Sequence, residues 1–414
     1  MKNFLLGTTA IAVMAVASTA SFAQSAPAPS GFTTASGFSV TIGGFARQFV
    51  TSTSQNNTPA NVRKGIDQST DNRLILTFRA PLSFGGTAGA VWQLNPNANT
   101  ATGNSITRRQ WTFLETQFGQ IQLGGADNVA AQAFVGSFEA FTGGLVVGDQ
   151  NIANWTTSKI GTSVVSQGNN HPTTGQDVDG IANKIVYFTP RIEGFQLGVN
   201  YTPEQSYRQG LAALGTQYTD GVAATLNYAN TLGGVAIRAQ AGYLSWKKVS
   251  GVNNAQAAAF EDPTQYSFGL GFQYMGFDLG GSYMRAKNFR NITNGTVTTA
   301  AALPATLRTV DGRAFELGLG YIFGPAAVSI NYVNGDNDDA TVAANGIKTA
   351  QVNGKDKQEL LGVSGRYLLG PGVNVNVGAF TAKYTEGSAT SAGFNAAKRD
   401  SRANVIATGL TLAF

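Results

Sequence analysis

Along most of the chain, apolar and polar residues alternate one by one. In Thr264–Lys287, Tyr266, Phe268, Leu270, Phe272 and Tyr274 share one parity, and Gln265, Ser267, Gly269, Gly271 and Gln273 the other. A period of two sends successive side chains to opposite faces of a strand. The pattern restarts after Met275-Gly276 with Phe277, Leu279, Gly281 and Tyr283, so the stretch predicts a hairpin with a very short turn. Similar runs recur from about Gly37 to Phe414 and predict 16 strands. Ser105–Gln117 is the run whose facing stays open, because Trp111 and Phe113 share parity with Arg109 and Glu115.

The connections between runs alternate in length. Short ones are expected at 81–86, 118–119, 190–193, 230–232, 275–276, 324–325 and 370–371. Long polar ones are expected at 50–69, 95–104, 125–182, 203–217, 247–263, 288–310, 335–356 and 386–400. In an up-and-down sheet, alternate connections lie at the same end. One rim is therefore all tight turns and the other all long loops, as in barrels that cross an outer membrane. In lipid every backbone polar group must pair internally, so the sheet must close. An even strand number leaves both termini at one rim, and a barrel of this size encloses an aqueous channel.

The two parities fit that reading. Gln265, Ser267, Gln273, Asn374, Asn376, Arg238, Thr225 and Asn227 suit a wet lumen. Leu74, Leu76, Phe78, Val235, Ile237, Leu317, Leu319, Val373 and Val375 suit lipid. Tyr201, Tyr228, Tyr243, Tyr274, Tyr283, Tyr321 and Tyr332 fall near strand ends on the lipid parity, where aromatic girdles form. Few aromatics are expected on the inward parity. A secreted β-sandwich would also alternate, but it would not explain one short-turn rim and one long-loop rim.

Composition narrows the choice further. The 414 residues include 51 Gly, 12% charged residues and no Cys, against about 7% Gly and 25% charge in ordinary soluble chains. Absence of Cys excludes a disulfide framework and thiol chemistry. The net charge of +5 is scattered, with no basic stripe for nucleic acid. Residues 1–23 read as a cleaved signal peptide: Lys2, an apolar core over Phe4–Ala17, and Ser21-Phe22-Ala23 before the cut. Residues 24–36 form a short leader, and 37–414 the barrel. Enzyme readings are weak. The single His171 lies beside Pro172 in the longest irregular stretch, and no phosphate-binding loop appears. Asp336–Asp339 suits a solvated acidic loop better than a loose Ca²⁺ site. No cofactor or metal is expected.

The chain resembles the Gram-negative general porins of alphaproteobacterial type. The residues that carry this are the signal peptide; Arg108-Arg109-Gln110-Trp111-Thr112-Phe113-Leu114-Glu115 running into Phe118-Gly119-Gln120-Ile121-Gln122-Leu123-Gly124; Ile185-Val186-Tyr187-Phe188-Thr189-Pro190 leading to Gly194-Phe195; and the final Phe414. The resemblance implies a homotrimer of 16-stranded antiparallel transmembrane β-barrels in the outer membrane, passing ions and small hydrophilic solutes by passive diffusion. It implies that the third external loop, here about 125–182, folds into the lumen. It also implies that Phe414 is the signal for membrane insertion. Gly125-Ala126 depart from the family, which often carries an Arg there. The alternatives are a substrate-specific channel of the same architecture and a secreted non-channel β protein such as an adhesin.

Acids on that loop should face bases on the wall across the narrowest point. The candidates are Asp127, Glu139 and Asp149 on the loop and Arg47, Arg73 and Arg79 on the first two strands. Asp177 and Asp179 read as solvated loop charges.

Overall fold

The computed structural model describes residues 30–34, 36–58, 61–96, 107–141, 155–156, 182–205, 218–247, 262–291, 306–343, 348–350, 355–385 and 400–414. The signal peptide, Asp149, His171, Asp177 and Asp179 lie outside these residues.

The strands are β1 (Ser30–Thr33), β2 (Ser39–Thr58), β3 (Asn61–Pro81), β4 (Thr87–Leu94), β5 (Thr107–Thr116), β6 (Gly119–Gly124), β7 (Lys184–Phe188), β8 (Phe195–Glu204) and β9 (Thr219–Leu232). They continue with β10 (Val235–Lys247), β11 (Thr264–Tyr274), β12 (Phe277–Asn291), β13 (Thr306–Phe323), β14 (Ala326–Ala343), β15 (Lys348–Ala350), β16 (Asp356–Gly370), β17 (Val373–Thr385) and β18 (Asp400–Ala413). β1 and β15 are short side pieces on β2 and β14. The other 16 pair antiparallel with their sequence neighbours, β14 passing directly to β16. β18 then pairs with β2, from Ala403 opposite Gln55 to Ala413 opposite Phe45, and the sheet closes. No backbone edge is left to lipid along that seam.

The closure extends to the chain end. The Gly44 amide donates to the Phe414 carbonyl at 2.8 Å, and the Phe414 amide donates to the Gly44 carbonyl at 3.1 Å. Below this point β1, part of the expected leader, takes over the edge of β2, with Ser30 opposite Ile42 and Thr33 opposite Ser39.

Several expected loops are strands. Much of 50–69 belongs to β2 and β3, and β12, β13 and β14 run into the expected connections 288–310 and 335–356. Their outer ends are polar, so apolar alternation stops there. The ladder continues because register set within the membrane carries the two backbones onward together.

Turns also shift, the one expected at 118–119 falling one residue earlier, at Gln117-Phe118. The expected turn 230–232 lies in β9; the chain reverses at Gly233-Gly234, with φ +57° and +83°. A tight hairpin turn of this kind needs positive φ at both centres, which Gly takes without steric cost. The turn expected at Gly370-Pro371 moves one residue on, to Pro371-Gly372.

Outward positions carry the apolar belt: Phe268, Leu270, Leu279, Leu317, Leu319, Ile330, Val363 and Val377 are exposed on the barrel's outside. Inward positions such as Gln240, Gln265, Ser267, Asn331 and Asn376 are buried within it.

Candidate functional site

The stretch after β6 is drawn into the barrel and laid along its wall. Its first turn is a short helix, α1 (Val129–Gln132), capped by Asn128, whose side chain accepts from the Ala131 amide. The Val129 amide donates to Asn200 Oδ1 on β8 at 2.9 Å. The chain then crosses β11, β12, β13, β14 and β16 in turn. The Ser137 amide donates to Glu316 Oε1 at 2.8 Å, the Ala140 amide to Ser329 Oγ at 2.9 Å, and the Phe141 amide to Ser364 Oγ at 3.1 Å. Asn331 Nδ2 donates to the Phe138 carbonyl at 2.7 Å. Each inward polar side chain thus satisfies a loop backbone group that would otherwise be buried unpaired.

Glycine makes room for this path. A Cβ on Gly269 would strike the Val135 carbonyl, one on Gly320 the Phe138 ring, and one on Gly280 would stand 2.6 Å from the Gly136 carbonyl. Small inward residues on β11–β13 therefore form a seat for 135–138.

The loop buries an inward aromatic set. Phe49, Phe141 and Trp155 pack ring on ring, with centroids 5.2 Å and 5.8 Å from Phe49. Trp155 Nε1 donates to Ser69 Oγ at 3.1 Å, and Thr156 Oγ1 lies 2.9 Å from the Tyr384 hydroxyl. Trp111, Phe113, Phe188 and Trp246 are buried in a cluster that includes Ala126 and Val129. The expectation of few inward aromatics is thus wrong. Their parity puts them inside, and the loop covers them, so they act as packing and form no open track. The open facing of β5 is decided too: Arg109, Trp111 and Phe113 are buried inside, and Gln110, Thr112 and Leu114 are exposed outside.

The charged candidates divide into two places. Arg47 and Asp71 are direct cross-strand partners on β2 and β3, with Nη1 3.4 Å from Oδ2. The Arg47 guanidinium carbon lies 3.7 Å from the Phe45 ring centroid, and that of Arg73 lies 5.1 Å from it. Glu139 of the loop acts electrostatically on Arg47. Arg73 stands in the combined field of Arg47, Arg108, Arg109 and Asp71. Arg109 forms an ion pair with Asp127 at the root of the loop. Arg108 is the extra residue where the β4–β5 register shifts, between Gln93 opposite Arg109 and Leu94 opposite Thr107. Arg79 is elsewhere: six residues further down β3, it pairs with Glu115 at 3.4 Å and lies over Phe113, at the short-turn end. That is about 20 Å along the strand from Arg73.

Sequence reasoning missed Asp71 and Arg109 as partners, although Arg109 stood in a quoted motif. It also missed Lys184. Lys184 lies opposite Gly124 and is 3% exposed. Its Nζ donates to the Ala126 carbonyl at 2.5 Å and to the Ala182 carbonyl at 2.7 Å. Both ends of the long loop are therefore tied to one ammonium. Asp336 of the Asp-Asn-Asp-Asp stretch is held by Arg313 Nε at 2.7 Å and lies 3.5 Å from Lys355 Nζ.

A closed antiparallel wall, apolar outside and polar inside, with a loop packed in its lumen, defines a transmembrane β-barrel of the outer membrane. The chain belongs to the Gram-negative porin family, whose profile matches residues 8–390. An uncharacterized protein of Rickettsia typhi is 30% identical over 161 residues, 34% of this chain and 36% of that one. The chain thus spans about a third of the length of the curated relatives it matches. Among solved structures, the anion-selective porin from Comamonas acidovorans superposes with a TM-score of 0.56 at 18% identity, over 91% of this chain and 100% of that one. The trimer form of OmpT, an outer membrane protein of Vibrio cholerae, superposes with a TM-score of 0.54 at 12% identity, over 91% and 99%. At these identities the likeness is one of fold.

Proposed function

We propose that the chain forms a water-filled channel for passive diffusion of ions and small hydrophilic solutes, with no catalytic step. The observation that carries this is the two-faced wall, polar side chains inside and apolar ones outside, with residues 126–141 of a loop packed against its inner face. Rings of charge and pore width filter solutes where a lumen narrows. In this reading Arg47, Arg73 and Arg109 line one side, and Asp71 with the loop acids Asp127 and Glu139 compensates and opposes them. Arg79 and Glu115 belong to the periplasmic mouth. Asp149 stays a candidate of the loop.

The assembly proposed is a homotrimer. Support comes from the outward face of β2, β3 and β5, where Gln48, Ser52, Gln68, Thr70, Asn72, Gln110 and Thr112 replace the belt's Leu and aromatics. Thr70 Oγ1 donates to Gln48 Oε1 at 2.8 Å on that face. Polar side chains turned to lipid are costly, so another copy covers them. Phe414, exposed and anchored to Gly44, is available as the insertion signal before closure.

The test is a planar bilayer. Purified protein should give discrete conductance steps in groups of three, and Arg47→Ala with Arg73→Ala should lower anion preference in reversal potentials. A protein that inserts and gives no steps would end the channel reading, and an unchanged potential would remove the two arginines from the narrowing.

A further inference from the structure

The wall has one joint that no connection bridges. Every other pair of neighbouring wall strands is consecutive in the chain, but β18 and β2 lie at its two ends and meet only through their ladder. Such a seam is where a closed sheet can open to leave two free edges. At the long-loop end of the seam, Gln55 Nε2 donates to Ser401 Oγ at 3.1 Å and the Arg402 amide to Asn56 Oδ1 at 2.9 Å. At the other end stand the two bonds between Gly44 and Phe414.

Between those ends the inner face of the seam is covered from within. The inward positions of β18 are small or β-branched: Ala403, Val405, Ala407 and Gly409. The Phe49 ring of β2 leans across the ladder onto its register partner Gly409, where a Cβ would strike it. Phe49 is fully buried, with the Phe141 ring 5.2 Å away and Trp155 edge-on at 5.8 Å. Phe141 and Trp155 also meet each other, with centroids 6.3 Å apart.

The same stretch of loop is tied to both sides of the joint. Trp155 Nε1 donates to Ser69 Oγ on β3, the register partner of Phe49. Thr156 Oγ1 lies 2.9 Å from the Tyr384 hydroxyl on β17, and the Phe141 amide donates to Ser364 on β16. One buried cluster thus runs from Val333 and Leu360 through Phe380 and Val405 to Phe49, with Phe141 and Trp155 in it. Buried rings of this size dominate the packing energy of the clusters they join.

We propose that Phe141 and Trp155 form a clasp that fastens the in-folded loop across the β18–β2 seam, so that pore width and barrel closure are held by the same contacts. The part concerning pore width rests on the channel reading; the part concerning closure stands on the wall alone.

The test uses the full chain, with Phe141→Ala and Trp155→Ala combined, in hydrogen-exchange and planar-bilayer measurements. Amides of 49–55 and 403–409 should exchange at least about tenfold faster, since truncating two buried rings shifts a local opening equilibrium by more than that. Amides of β9 and β10, across the barrel from the seam, should keep native rates. Single-channel conductance should rise as the loop loses this attachment. A cross-seam disulfide comes from Ser54→Cys with Asn404→Cys, register partners in a chain that has no Cys of its own. It should restore slow exchange in the double variant and leave the altered conductance as it is. Should the double variant not fold, Trp155→Ala alone should show the same seam-confined change at smaller size. Native exchange at the seam, faster exchange spread evenly over all strands, native conductance, or conductance restored by the disulfide would overturn the proposal. Exchange is read without any current, so its outcome is separable from a failure of the channel reading.

Discussion

Lys184 shows how much one side chain can set in this lumen. Its buried ammonium bridges the carbonyls of Ala126 and Ala182, the two ends of a loop more than fifty residues long. Lys184→Met keeps the bulk and removes the donors, leaving two carbonyls without that partner at a cost of about 1–3 kcal/mol. Its expected effects are noisier open-channel current and closure at lower applied voltage in bilayer recordings, with Lys184→Arg partly restoring the native trace. Asp127 offers a second probe. Asp127→Asn removes the carboxylate beside Arg109, so the proposed narrowing would gain net positive charge and reversal potentials should move toward anion preference. The sequence marked Asp127 as a loop acid facing a wall base but not Arg109 as that base, and the role of Lys184 was not legible: it opens a strand like any other, and its partners are backbone atoms that leave no mark on composition.

At the scale of elements, the pattern of twos located nearly every strand but not its outer end. β2 and β3 continue past Phe49 and back from Thr70 because pairing needs only backbone, whereas alternation needs a lipid face. The loop's path was likewise invisible. The inward glycines of β11–β13 read only as small residues, and their purpose as a seat depends on what lies over them. Gly269→Ala and Gly320→Ala should each lift 135–138 off the wall while leaving the strand ladder intact. Single-channel conductance should then change and open-state noise rise, with the heat-modifiable gel shift of a folded barrel retained; a native trace would mean that the seat tolerates a methyl group.

For the whole molecule, closure through β18 and β2 turns a row of hairpins into a wall without edges. That wall is uneven outside: aromatic and aliphatic over β8–β16, and over β2, β3 and β5 interrupted by a polar patch of Gln48, Gln68, Thr70, Asn72, Gln110 and Thr112 beside apolar residues such as Ile42, Val50 and Leu114. In the proposed trimer, this polar patch is where a second copy would sit. Asn72→Arg with Gln110→Arg should convert trimers to monomers in analytical ultracentrifugation, while each monomer keeps its fold; trimers of unchanged stability would place the contact elsewhere.

The order of residues alone determined the number of wall strands, the rim of tight turns, and, for every strand but β5, which parity meets lipid. These are local consequences of a two-residue period and of the need to pair every backbone group in a membrane. The tertiary structure alone decided that Arg47 meets Asp71, that Arg109 meets Asp127, that Arg79 stands apart, and that buried aromatics support the loop. Such contacts join residues far apart in the chain, and their positions depend on register, barrel closure and the course of the loop within it.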